Sequence, residues 1–136
     1  MQGLKIEKNY HFYAAHRNKA GGTKCGRIHG HTYDIRCYFS FTEKNEGGIT
    51  CLFSDIDQRV NPIIKSYCHW LLLYENDPLV NVLKSAGEEF KLLPFETSAE
   101  NLSEWIFEEI KGTGLPIVKI ELRETKSSNV IYGIKN

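Results

Sequence analysis

A chain of 136 residues is the size of one domain, 1–136, and is long enough to bury a core without disulfide or metal staples. Its 41% hydrophobic and 25% charged residues exclude a disordered, collagen-like or low-complexity protein, and seventeen basic against seventeen acidic residues exclude a strongly basic nucleic-acid binder. No apolar run approaches the about 20 residues of a membrane span, and the opening MQGLKIEKNY lacks a signal peptide's apolar segment, so a soluble cytoplasmic protein with no membrane or nucleic-acid partner is expected.

Residues 4–16 alternate, with Leu4, Ile6, Tyr10, Phe12, Ala14 and His16 on one parity, as in a strand with one covered face. The polar, glycine-rich RNKAGGTKCGRI that follows reads as a surface loop. Residues 29–42 alternate more cleanly, placing His29, His31, Tyr33, Ile35, Cys37, Phe39 and Phe41 on one face. Lys44 to Gly48 then reads as a turn into a short apolar piece, Ile49 to Phe53. The period next becomes helical. Ile56, Val60, Ile63, Ile64, Tyr67 and Leu71 predict a helix opened by a Ser54/Asp57 capping box and kinked or restarted at Pro62. Leu79, Val82, Leu83 and Ala86 predict a second helix ending at Gly87. A Thr97/Glu100 capping box predicts a third, with Leu102, Trp105, Ile106 and Ile110 facing the core and Gly112 as the stop. Alternation returns in 117–125, where Val118, Ile120, Leu122 and Glu124 share a face, and in 129–134. The order predicts an α+β domain: a four-stranded antiparallel sheet with helices packed on one face.

Four cysteines at unrelated spacings, without CxxC, do not make a disulfide framework. The histidines carry more. If the first two strands pair as a hairpin, His16 at the end of one apolar row meets His29 and His31 at the start of the next. Three neutral imidazoles with an open fourth position are the pattern of a catalytic zinc ion, Zn2+; the alternatives are three hydrogen-bonded histidines, or a structural zinc that also takes Cys25. Lys24 and Arg27 flank Cys25, and these cations with a nearby metal favour a thiolate suited to a general base or nucleophile. Glu124 ends an apolar row, where an unpartnered carboxylate is costly. A ligand with N–H donors satisfies it, and so does an arginine such as Arg123 of a neighbouring chain. On pattern alone His69 is a core or helix-end histidine, His11 a surface residue, and Cys37 and Trp105 core.

Ala14-Ala15-His16 and Cys25-Gly26-Arg27-Ile28-His29-Gly30-His31 resemble the 6-pyruvoyl-tetrahydropterin synthase family, most closely its 6-carboxytetrahydropterin synthase branch of queuosine biosynthesis. Asn76-Asp77-Pro78-Leu79, Ser98-Ala99-Glu100-Asn101-Leu102 and Glu124-Thr125 fit later family segments, so the resemblance spans nearly the whole chain. It implies the T-fold, with sheets closing a barrel in a trimer, two trimers stacked as a hexamer, and active sites between subunits. It implies His16, His29 and His31 as zinc ligands and Cys25 and His69 as catalytic residues. Glu124 becomes the anchor of the pterin ring, with Lys24 and Ser98 as further substrate contacts. The implied reaction converts 7,8-dihydroneopterin triphosphate to 6-carboxytetrahydropterin, acetaldehyde and triphosphate. The alternatives are the pyruvoyl enzyme, which only eliminates triphosphate, and a zinc-containing pterin-binding relative with little catalysis.

The chain departs from the family pattern in three places. Cys68 replaces the Asp that normally precedes the catalytic histidine, a change that should weaken proton transfer at His69 unless Asp55 or Asp57 compensates. Leu52 replaces the Asp before Phe53, and Thr97-Ser98 replaces the Pro-Thr that opens the late helix.

Overall fold

The computed structural model describes residues 3–133. Strand β1 (Leu4–His16) and strand β2 (His29–Phe41) form an antiparallel hairpin in unbroken register, from Leu4 opposite Phe41 to His16 opposite His29. Helix α1 (Phe53–Lys65), strand β3 (Trp70–Tyr74), helix α2 (Leu79–Ser85), strand β4 (Lys91–Leu93), helix α3 (Ala99–Lys111), strand β5 (Ile117–Thr125) and strand β6 (Ser128–Gly133) follow. The alternating row works as expected: Phe12, Tyr33, Ile35, Cys37 and Phe39 are all fully buried, with the Phe12 and Tyr33 rings stacked at 4.7 Å. Helices α1 and α3 cover this face, whereas Lys5, Glu7, Asn9, His11, Asp34 and Arg36 are exposed on the opposite parity. Among the described residues no helix is long and apolar enough to cross a membrane.

The sheet has six strands rather than four, in the order β4-β3-β1-β2-β5-β6, and it is mixed rather than antiparallel. Strand β3 lies parallel to β1, and β4 parallel to β3. Trp70-Leu71-Leu72-Leu73-Tyr74 is a continuous apolar run, the signature of a strand covered on both faces, and such a run has no period of 2 to reveal it. Leu72 and Leu73, of opposite parity, are both fully buried. Leu71 therefore belongs to β3 and not to the first helix.

Local signals fared unevenly. Helix α1 starts at Phe53, with Leu52 as its N-cap and no capping side chain, and continues through Pro62. Asp57 is not part of a capping box. Its carboxylate accepts from Tyr10 Oη at 2.7 Å and from Lys8 Nζ at 3.1 Å, tying α1 to β1. Helix α2 stops where predicted, with Ala86 as its C-cap and Gly87, just beyond it, in the left-handed region (φ 77°). The N-cap of α3 is Ser98, whose oxygen accepts from Asn101 N, and Thr97 is turned elsewhere. Trp105 is 40% exposed, because the buried stripe of α3 runs through Leu102, Ser103, Ile106, Phe107 and Ile110; its ring packs on Phe95. The apolar piece before α1 is at the surface, with Phe53 62% exposed. A register shift opposite Tyr38 and Phe39 turns Ile117, instead of Val118, into the core.

Candidate metal centre and adjoining cavities

The hairpin register sets His16 directly across from His29, and the two-residue step of a strand brings His31 to the same face. One nitrogen from each lies within 4.8 Å of the others, and the ring centroids are 4.6 to 5.3 Å apart. Tyr33 forms the floor, its ring 5.4 Å from that of His31. His16 is almost completely buried. Its Nδ1 lies 2.7 Å from the Thr97 carbonyl oxygen and 3.1 Å from Thr97 Oγ1. The Nδ1 of His29 lies 2.7 Å from the carbonyl oxygen of Arg27. In both rings the outward nitrogen is engaged by a carbonyl, which leaves Nε2 for the centre of the cluster.

The electrostatics suit a cation. Burial pushes the His16 imidazole down to about 4, with His29 and His31 adding to the effect against the Thr97 bond. Burial, then the neighbouring His29, also lowers His31. The His16 and His31 rings are thus held neutral, as metal ligands must be. Nε2 of His16 and Nε2 of His31 are buried without a hydrogen-bond partner. The carboxylate of Glu124 stands 3.4 Å from His31 Nε2, within ion-pair distance of a ring that burial keeps uncharged. Desolvation raises the Glu124 carboxyl above the usual carboxylate range; His29 opposes this and Glu100 adds to it. Two orphaned imidazole nitrogens and a desolvated carboxylate facing one point fit a divalent ion, and the nitrogen-rich donor set suits zinc.

Cys25 joins this group. It lines a cavity of about 180 Å³ with His16, His29, Ser98, Glu100 and Glu124. The loop can fold so tightly because Gly21 has no side chain: a Cβ there would lie 2.7 Å from Cys25 Cβ. Asn18 N donates to the Cys25 carbonyl at 2.6 Å, closing the loop at its neck. Lys24 is exposed and lines neither this cavity nor the one that holds His69.

His69 stands apart. It has the left-handed φ of 67°, the one non-glycine positive φ among the described residues, and its N–H donates to the Tyr13 carbonyl at 2.6 Å. It lines a second cavity, of about 480 Å³, with Tyr13, Ala15, Gly30, Thr32 and Leu71, most of them of the parity opposite to His16, and with the ligand candidate His31. The two cavities share no lining residue. Gly30 belongs to that opposite face, where a Cβ would make only an ordinary contact with the Ala14 carbonyl oxygen. Cys68 is partly buried against the core. Asp57 is engaged by Lys8 and Tyr10, and Asp55 lines a surface hollow with Ile49 and Leu52, so neither supplies the cavity of His69 with a carboxylate in this chain. Arg123 donates to the Lys126 carbonyl.

Sequence reasoning missed Thr97 as the partner of His16, because a β-branched hydroxyl residue before a helix reads as a cap. It also missed the ion pair of Arg17, the residue after His16, with Asp77. Arg17 Nε donates to Asp77 Oδ2 at 2.8 Å and Nη2 bonds the other oxygen, while Leu79 N donates to Asp77 Oδ1 at 2.8 Å. Sixty residues separate the pair, and nothing local announces it.

A family model described as 6-pyruvoyl tetrahydropterin synthase matches residues 5–135. The 6-carboxy-5,6,7,8-tetrahydropterin synthase of Haemophilus influenzae is 28% identical, over 95% of this chain and 98% of its own. The protein of the same name from Synechocystis is 29% identical, over 93% and 91%. Among solved structures, an uncharacterized protein of Wolinella succinogenes superposes with a TM-score of 0.83 at 19% identity, over 99% of this chain and all of that one. Caenorhabditis elegans 6-pyruvoyl tetrahydropterin synthase superposes with a TM-score of 0.74 at 19% identity, over 99% and 98%. The superpositions identify the fold as the T-fold. With a match that runs from one end of the hairpin to the last strand, the chain belongs to the 6-pyruvoyl tetrahydropterin synthase family.

Proposed function

We propose that the protein is a zinc-dependent lyase that converts 7,8-dihydroneopterin triphosphate and water to 6-carboxy-5,6,7,8-tetrahydropterin, acetaldehyde and triphosphate. The observation that carries the reading is the convergence of three histidines, two with orphaned Nε2 atoms, beside an exposed cysteine and a desolvated glutamate. The names of the curated relatives point to the carboxy product rather than the pyruvoyl one.

His16, His29 and His31 would hold the zinc ion, which as a Lewis acid acidifies C–H bonds next to substrate hydroxyls bound at its open position. The remaining work falls to the chain. Glu124, short of donors in its desolvated place, accepts from the amino and ring N–H groups of the pterin and thereby orients the ring. Ser98, which lines the same cavity, adds a polar contact. Cys25 Sγ takes a proton from the side chain, and His69 returns one at a second position as the side chain tautomerises.

Cys25 and His69 line different cavities of the chain, with His31 of the histidine cluster reaching the one that holds His69, and this separation favours a substrate site completed by a second copy. The reading therefore includes a homo-oligomer in which the cavity of His69 from one copy meets the metal centre of another, as a trimer of sheets stacked into a hexamer. Closure of the barrel also pairs the outer edge of β6, which a lone sheet leaves open. A cytoplasmic location goes with this reading.

The test is zinc-loaded protein incubated with 7,8-dihydroneopterin triphosphate and products identified by mass spectrometry. Acetaldehyde with 6-carboxytetrahydropterin is the expected result. Triphosphate release with a pyruvoyl product would assign the pyruvoyl reaction. Unchanged substrate with zinc bound and the oligomer intact would favour a pterin-binding relative, as the Cys68 substitution allows.

A further inference from the structure

We infer that Thr97 is a positioning residue for the metal centre: its hydroxyl and carbonyl together hold His16 in the one tautomer that presents Nε2 to the ion. The inference rests on the reading of the three histidines as metal ligands. Thr97 is fully buried and stands one residue before the N-cap of α3, eighty-one residues from His16. A carbonyl oxygen only accepts, so the 2.7 Å approach of His16 Nδ1 to the Thr97 carbonyl requires the proton on Nδ1. The hydroxyl has a single hydrogen, which it donates to the Arg17 carbonyl at 3.1 Å; its lone pair is left to face the same Nδ1–H, also at 3.1 Å. The imidazole proton is thus shared between two oxygens of one residue, at a ring that is almost completely buried.

The same hydroxyl fixes the backbone at the start of the loop that carries Cys25. Its partner, the Arg17 carbonyl, belongs to a residue whose guanidinium is clamped by Asp77. One threonine therefore links the ligand at the end of β1, the root of the loop and the entrance of α3. Groups in this position commonly shift metal affinity 10- to 100-fold without touching the ion.

The experiment is a zinc competition titration against a chromophoric chelator on wild type, Thr97→Val and Thr97→Ser, with folding checked by circular dichroism and thermal melting. Valine keeps the shape and the carbonyl and removes only the hydroxyl. The expected result is about tenfold weaker zinc binding in Thr97→Val, with recovery in Thr97→Ser. Thr97→Val within about twofold of a wild type that binds zinc would overturn the inference while leaving the metal site standing. A wild type that binds no zinc would overturn the metal reading itself. Nitrogen-15 NMR of the metal-free wild type at neutral pH supplies a readout that needs no substitution. An Nδ1–H tautomer at His16 is expected, and an Nε2–H tautomer would overturn the inference.

Discussion

Replacing Asp77 by Asn tests how the loop between the ligands is anchored. The Arg17 and Asp77 side chains are 14% and 7% exposed, and the carboxylate receives two bonds from the guanidinium and one from Leu79 N. Removing one charge of a buried pair costs about 3–5 kcal/mol, because the other is left uncompensated. The amide oxygen of Asn retains one acceptor, worth about 1 kcal/mol, which leaves a loss of about 3 kcal/mol at pH 7. That is a large part of the 5–15 kcal/mol typical of a domain and lowers Tm by roughly 10 °C at this chain length. The effect must also depend on pH. Bonding to Arg17 holds the Asp77 carboxyl below its ordinary 3.8, so its contribution is complete above that value and is lost as pH falls through the lower folded value. Urea unfolding of wild type and Asp77→Asn at a series of pH values is the assay. The two stabilities should differ by about 3 kcal/mol at neutral pH and converge in acid. A difference below about 0.5 kcal/mol at pH 7, or one that stays constant into acid, would show that the pair is held by packing and not by charge.

Three further outcomes follow from the same geometry. Cys25→Ala should abolish product formation while zinc content stays at the wild-type level; loss of zinc would instead make Cys25 a fourth ligand. Glu124→Gln should weaken pterin binding at least tenfold, measured by fluorescence titration, with the oligomer mass unchanged, and disassembly would point to an inter-chain pair with Arg123. His69→Gly should leave stability to urea unchanged or higher and remove turnover. His69→Val should cost about 1–2 kcal/mol, since a β-branched residue at φ 67° bears the full left-handed penalty. Equal stability of the two variants would mean that the backbone there relaxes at no cost.

Much of the candidate site was legible in the chain before any coordinates. The parity of His16, His29 and His31 is local information, and a hairpin with a polar loop has one register that buries both apolar rows, so three imidazoles had to meet. The alternation of 29–42 likewise announced Tyr33, Ile35, Cys37 and Phe39 as core, and Glu124 was conspicuous as a carboxylate ending an apolar row. Tertiary structure alone decided the rest. Strands β3 and β4 escaped because they are parallel and short, and β3 is apolar on both parities, so neither carries a period that distinguishes strand from helix. Asp57 and Thr97 looked like caps because capping motifs are local, yet each hydrogen-bonds a residue far away in the chain, as Arg17 does with Asp77. The separation of Cys25 from His69 into different cavities was equally invisible, since it depends on where the turn after α1 leaves the chain and not on any spacing within it. Periodicity tells which side of its own element a residue occupies; which partner waits on that side is settled only when distant segments pack together.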